Sequence, residues 1–229
     1  MPGLDSYIKL LLHCNGTDGS QTFIDSALGK AVTAVGHAKI STAQSKFGGA
    51  SGLFDGTGDC LTTPNHADFD FGSGDFTIDF WVMFNVVGNT RLIIKTASGA
   101  TFAPFGIFTD ATNLYFASSA NGTTWGVLTS FLFGGVLTTG VWYHIAAVRY
   151  GNVWNLHVDG ILRASTTVSQ TVMINTTVVS IGACADASAS LNGWIDELRI
   201  SKGIARWTAN FAPPNYAYGF NAGGFSLFM

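Results

Sequence analysis

Only one of the 14 acidic residues in this 229-residue chain is a glutamate, Glu197, and Asp, Glu, Lys and Arg together make up 11% of positions. Globular proteins usually carry roughly 25%. So little charge implies a surface that is either neutral and rich in Ser, Thr and Asn or covered by other subunits. The net charge is −3 with no basic run, so the electrostatic footprint of a nucleic-acid binder is missing. No apolar stretch approaches a membrane span, and Met1–Asp5 has no positive region ahead of a hydrophobic core. This predicts a chain made and kept in the cytosol unless cell lysis or a dedicated machine releases it. Three cysteines, Cys14, Cys60 and Cys184, are too few and too far apart for a metal knuckle or a redox pair, and they read as reduced, buried thiols. No window sustains helical periodicity over three turns. The sequons at Asn15, Asn121 and Asn175 carry no weight in a chain so rich in Asn and Thr.

What is present is apolar and aromatic: 47% hydrophobic residues, 13% aromatic and 28 glycines. That composition suits many short strands joined by tight turns. In Phe76–Val82, residues Phe76, Ile78, Phe80 and Val82 share one face, and Thr77, Asp79 and Trp81 the other, as in a strand with a polar outer side. Shorter strand signals follow at Arg91–Lys95, Phe105–Phe108, Asn113–Phe116 and Trp125–Leu128, each bounded by turn residues. Trp142–Val148 is nearly continuous in its apolar character, as only a central strand tolerates. Asn152–Val158 alternates and runs through Asp159-Gly160, a two-residue hairpin signal, into Ile161–Arg163. Val178–Gly182 and Gly193–Ile200 complete the strands, and Ser201–Trp207 reads as a short helical turn.

No linker divides the chain, which therefore reads as one domain over residues 1–216 followed by an apolar tail, 217–229. From Trp207 to the end there is no charged residue. Such a tail either packs back on its own domain or docks elsewhere, through Phe220, Phe225, Leu227, Phe228 and Met229.

Five segments in order resemble the laminin-G-like branch of the concanavalin A-like lectin/glucanase superfamily: Lys46–Gly56, Asp75–Val82, Trp142–Ala146, Leu156–Gly160 and Gly193–Ile200. The resemblance implies an all-β jelly roll of two antiparallel sheets. The opening, Leu10–Ser20 followed by Phe23-Ile24-Asp25, is similar to such domains in structural proteins of tailed phages and prophages.

Relatives that cleave glycosides need two carboxylates about 5 Å apart. With one glutamate, and with Asp75 and Asp79 roughly 13 Å apart along a strand, the chain is not expected to be an enzyme. His144 and His157 lie inside apolar strands without a nucleophile motif and read as core groups. Asp196 falls, by strand parity, on the side of Leu198 and Ile200, where a buried carboxylate needs a partner. The superfamily resemblance implies calcium, held by Asp25, Asp55, Gly56 and Asp196; hydrogen bonds from backbone amides or from Arg206 are the alternative. Trp81, with Thr77 and Asp79 beside it and Tyr115 and Trp125 joining, is either a sugar-stacking platform or an aromatic covered by a loop or a neighbouring subunit. Two functions are consistent with these features. One is an oligomeric structural or decoration protein of a phage virion, docked on other virion proteins; the other is a carbohydrate-binding module.

Overall fold

The computed structural model describes residues 4–96, 102–110, 112–132 and 137–219. Among these residues, fifteen strands form two antiparallel sheets. The first contains β1 (Ile8–Leu12), β3 (Lys39–Ser41), β4 (Ser51–Asp55), β6 (Phe76–Phe84), β11 (Trp142–Tyr150), β12 (Val153–Val158), β13 (Ile161–Thr167) and β15 (Asn192–Lys202). Its order is β13-β12-β11-β6-β15-β4-β3, and β1 pairs with the second half of β15. The second contains β2 (Thr33–Val35), β5 (Cys60–Thr63), β7 (Thr90–Ile94), β8 (Gly106–Thr109), β9 (Asn113–Ser118), β10 (Val127–Leu132) and β14 (Val179–Ile181), in the order β10-β9-β8-β7-β14-β5-β2.

The core lies between the sheets and follows the alternation in the sequence. Phe76, Ile78, Phe80, Val82 and Phe84 of β6 meet Ile107, Leu114 and Phe116 of the opposing sheet within one buried cluster. Each such side chain stabilises by about 1.5–3 kcal/mol on burial. The expected hairpin forms at Asp159-Gly160, where both residues have positive φ (51° and 73°) and Val158 pairs with Ile161. Cys14, Cys60 and Cys184 are free and buried. No described helix is long and apolar enough to cross a membrane.

Two local expectations are corrected. Ser201–Trp207 is not a helical turn: β15 runs on to Lys202, and the single 3-10 turn among the described residues is Ala67–Phe69. More consequentially, β15 contains a bulge. Asp196 pairs with Trp81, but Arg199 pairs with Asp79, so two residues of β15, Glu197 and Leu198, lie opposite the single Phe80 of β6. Glu197 absorbs the extra residue with φ +50°. The bulge inverts parity, so Ile195 and Leu198 both point into the core while Asp196 shares the outer face with Trp81 and Arg199.

Candidate ligand-binding face

On the second sheet, cross-strand register places Arg91 of β7, Phe108 of β8, Tyr115 of β9 and Ser130 of β10 side by side. Their neighbours Leu92, Ile107 and Leu114 belong to the core, so this row faces away from it. The Phe108 and Tyr115 rings stack at 5.0 Å and 23°. Trp125, two residues before the start of β10, tilts against Phe108 at 6.0 Å and meets Phe102 edge-on at 5.1 Å. The Arg91 guanidinium lies 4.7 Å above the Phe108 ring. Arg91, Phe102, Phe108, Tyr115 and Trp125 are all half-buried, and Leu128 and Ser130 beside them are exposed.

Asp110 organises the rim. Its Oδ1 accepts from the amides of Thr112 and Asn113, each at 2.6 Å, and its Oδ2 from the Tyr115 hydroxyl, also at 2.6 Å. These bonds, led by that from Tyr115, hold the carboxyl well below the usual carboxylate range, and the same partnership raises the Tyr115 pKa. The phenol ring is therefore fixed in place. The result is a rigid, partly open aromatic surface with an ionised carboxylate and a guanidinium at its margin.

The five proposed ligand-contacting residues thus divide between two faces. Tyr115 and Trp125 join the open row just described. Thr77, Asp79 and Trp81 lie on the outer face of the first sheet, which is not open: Thr77 and Asp79 are fully buried and Trp81 is 5% exposed. Phe47 packs edge-on against Trp81, and the Lys46 ammonium stands 3.9 Å over its ring. The segment 204–219 covers the rest. Arg206 N–H donates to Thr77 Oγ1, and Trp207 stacks on Phe211 at 4.0 Å above His144. Tyr218, beyond the expected boundary at 216, is buried and donates its hydroxyl to Asp79. Phe220, Phe225, Leu227, Phe228 and Met229 lie outside the described residues.

Beneath this cover sits a polar network. Arg199 donates from Nε and Nη2 to the two oxygens of Asp79, both at 3.0 Å. Burial alone would raise the Asp79 pKa, but Arg199 and then His144 outweigh it and bring the carboxyl down to about 2. Glu197 accepts from the Tyr218 amide at 2.7 Å and pairs with His13 Nδ1 at 2.7 Å. The only glutamate is thereby occupied in holding the C-terminal segment.

The four candidate calcium ligands do not assemble. Both oxygens of Asp25 are engaged by the backbone amides of Leu11, Ala27, Leu28 and Lys30. Asp55 instead neighbours His37 and Asp59, the one described trio of donor atoms within 4.8 Å, and Asp59 there anchors the amides of His37 and Asp55. Gly56 turns the chain at φ +90°. Asp196 Oδ2 accepts from the amides of Lys46 and Phe47 at 2.8 and 3.0 Å, and its Oδ1 is buried without a partner. The backbone-amide alternative is the one observed, and Arg206 pairs with Asp5. Burial pushes the Asp196 carboxyl up to about 7.

Phe108 and Arg91 were not singled out in the sequence. The alternation of Ile107 and Phe108 next to Asn113–Phe116 was the available signal, but which strands lie side by side depends on pairing.

Two antiparallel sheets packed face to face define an all-β jelly-roll sandwich. Residues 55–206 match the family described as the concanavalin A-like lectin/glucanases superfamily, in its laminin-G-like branch, and the chain belongs to that family. No curated protein sequence matches it. Among solved structures it is similar to the binding domain of Paraclostridial Mosquitocidal Protein 1, with TM-score 0.63, 14% identity, and coverage of 86% of this chain and 49% of that one. It is also similar to the receptor binding domain of botulinum neurotoxin D, with TM-score 0.64, 12% identity, and coverage of 87% and 50%. A third is the binding domain of botulinum neurotoxin DC in complex with rat synaptotagmin II, with TM-score 0.62, 15% identity, and coverage of 86% and 49%. The chain therefore spans about half the length of these structures, and at such identities the likeness establishes the fold.

Proposed function

We propose that this chain is a non-catalytic recognition module that binds glycans on the outer face of its second sheet. The observation that carries this reading is the half-exposed row Phe108–Tyr115 with Trp125, held rigid by Asp110. Flat aromatic faces offer apolar area to a sugar ring, and Asp110, Arg91 and Ser130 supply hydrogen-bonding groups around it. Family membership and the binding domains among its structural neighbours support recognition over catalysis. The only glutamate is 1% exposed and already paired, so it is not placed as one of two opposed carboxylates. A glycan array with the intact chain and with Trp125→Ala tests the reading: retention on a defined glycan set that the variant loses supports it, whereas no retention, or retention indifferent to the substitution, removes it.

A second reading concerns the setting. We infer a structural or decoration protein of a tailed-phage virion, made in the host cytoplasm and self-associating, with the recognition face displayed outward. Its support is the similarity of Leu10–Asp25 to phage domains, the low charge, and the exposed Ile24 (68%) and Leu28 (56%) in that same N-terminal region. Mass measurement in dilute solution, with and without residues 220–229, tests it. An intact chain that is monomeric and unchanged by the truncation would contradict the assembly role.

A further inference from the structure

Between the end of β15 and the C-terminal segment lies a cavity of about 450 Å³, on the opposite side of the molecule from the aromatic row. Arg199, Arg206, Trp207, Pro214, Tyr216 and Tyr218 form its principal walls, and among the described residues the two arginines are the only charged ones that line it. Both guanidinium side chains are largely buried, 9% and 13% exposed. Arg199 spends Nε and Nη2 on Asp79, while Arg206 spends Nε on Ser201 Oγ and Nη2 on Asp5. Neither Nη1 has an acceptor among the described residues, and neither is sealed off among the buried unpartnered atoms. Two arginines that line one cavity thus each keep an Nη1 group without an acceptor among the described residues, and their other bonds hold the guanidinium groups in place.

We propose that this cavity is a binding site for an acidic sugar, with its carboxylate received by Nη1 of Arg199 and Arg206 and its ring resting against Tyr216 and Pro214. Guanidinium N–H groups suit a carboxylate, and preorientation by Asp79, Asp5 and Ser201 reduces the ordering needed on binding. Burial, followed by the neighbouring charge of Arg199, lowers the Arg206 pKa, while, against burial, Asp79 holds that of Arg199 up. The choice of a sugar over a bare anion rests on the walls. Tyr216 is 42% exposed, so it presents open aromatic surface, and an open cavity of this size has room for a small organic ligand. Trp207 is less available, being stacked on Phe211. This proposal stands apart from the glycan reading of the second sheet.

Calorimetric titration of the full chain with glucuronate, glucose, acetate, inorganic phosphate and an N-acetylated dipeptide tests it at low salt. The expected result is glucuronate binding with a Kd on the order of 1 mM, no binding of glucose, and at least about tenfold weaker binding of the other three. Arg206→Gln should weaken glucuronate about tenfold or more. Because Arg206 also holds Asp5 and Ser201, Tyr216→Ala provides the second variant, with weaker binding at an unchanged melting temperature. Phe108→Ala and Trp125→Ala should leave glucuronate binding intact, which separates this site from the aromatic row. Glucose binding equal to glucuronate, acetate or phosphate binding as tight, preference for the dipeptide, no glucuronate binding, or indifference to both cavity variants would each overturn the proposal.

Discussion

Tyr218 donates its hydroxyl hydrogen to Oδ2 of Asp79, 139 residues earlier in the chain. Asp79 also receives Arg199, and Arg199 stacks over the Tyr218 ring at 3.8 Å. The C-terminal segment is thereby tied to the centre of the first sheet. Tyr218→Phe keeps the ring but removes both the bond to the charged acceptor and the contact of the same hydroxyl with His144 Nε2 at 3.2 Å, so it should destabilise the fold by at least about 1.5–3 kcal/mol. Denaturant unfolding checks this: the midpoint should fall at constant slope, and a midpoint equal to that of the parent would show the bond contributes nothing.

Two buried carboxylates should give opposite pH signatures. The Asp79 pKa of about 2 lies below its unfolded value near 3.9, so its stabilisation is present above about pH 4 and is lost as the pH falls toward 2. The Asp196 pKa of about 7 lies above the unfolded value, so the folded state holds the extra proton and stability declines as the pH rises from about 4 to about 7. Asp196→Asn should flatten that decline while its amide oxygen still accepts from Lys46 and Phe47. Melting temperatures of the two chains from pH 4 to 8 decide it, and parallel curves would mean that Asp196 is not the group responsible.

Phe108→Ala and Trp125→Ala should abolish or strongly weaken glycan retention with a smaller loss of stability than a core truncation, because both side chains are only partly buried. Tyr115→Phe is subtler: it keeps the stacking surface and the amide bonds to Asp110 Oδ1 but frees Asp110 Oδ2, so a change in glycan preference with little loss of melting temperature is expected. Array binding and thermal melts on the same samples separate these effects.

Gly160 combines a positive φ of 73° with a close approach to the C-terminal segment, whose Phe211 amide donates to its carbonyl at 2.9 Å. A Cβ there would collide with the Phe211 carbonyl oxygen. Gly160→Ala should destabilise by about 1–2 kcal/mol from backbone strain and more if the segment is displaced. Increased protease cleavage within 204–219 would report that displacement, and unchanged cleavage and stability would contradict it.

Much of the scaffold was legible from periodicity. The alternation Phe76–Val82, the continuous run Trp142–Val148 and the Asp159-Gly160 turn are local signals, and the structure contains each of them. Strand alternation also separated Thr77, Asp79 and Trp81 from the core side of β6. What alternation does not carry is the environment on the other side: that face is covered by residues from 46–47 and 204–219, and no local pattern announces which distant segment returns to pack there.

Asp196 shows the same limit at the scale of one residue. Parity assigns it to the core side of β15, and a single bulged residue, Glu197, reverses the assignment while leaving the carboxylate buried for a different reason. The aromatic row has a similar origin, since Phe108, Tyr115 and Arg91 became neighbours only through the pairing of β7, β8 and β9.

By itself the sequence determined the all-β class, the central strands and the scarcity of catalytic carboxylates, because period-two hydrophobicity and composition are properties of the chain. Only the tertiary structure decided which face is open, where Asp196 points and which arginines share a cavity. Those depend on strand register and on long-range packing between segments more than a hundred residues apart, whose free energies arise only once the sheets have closed on each other.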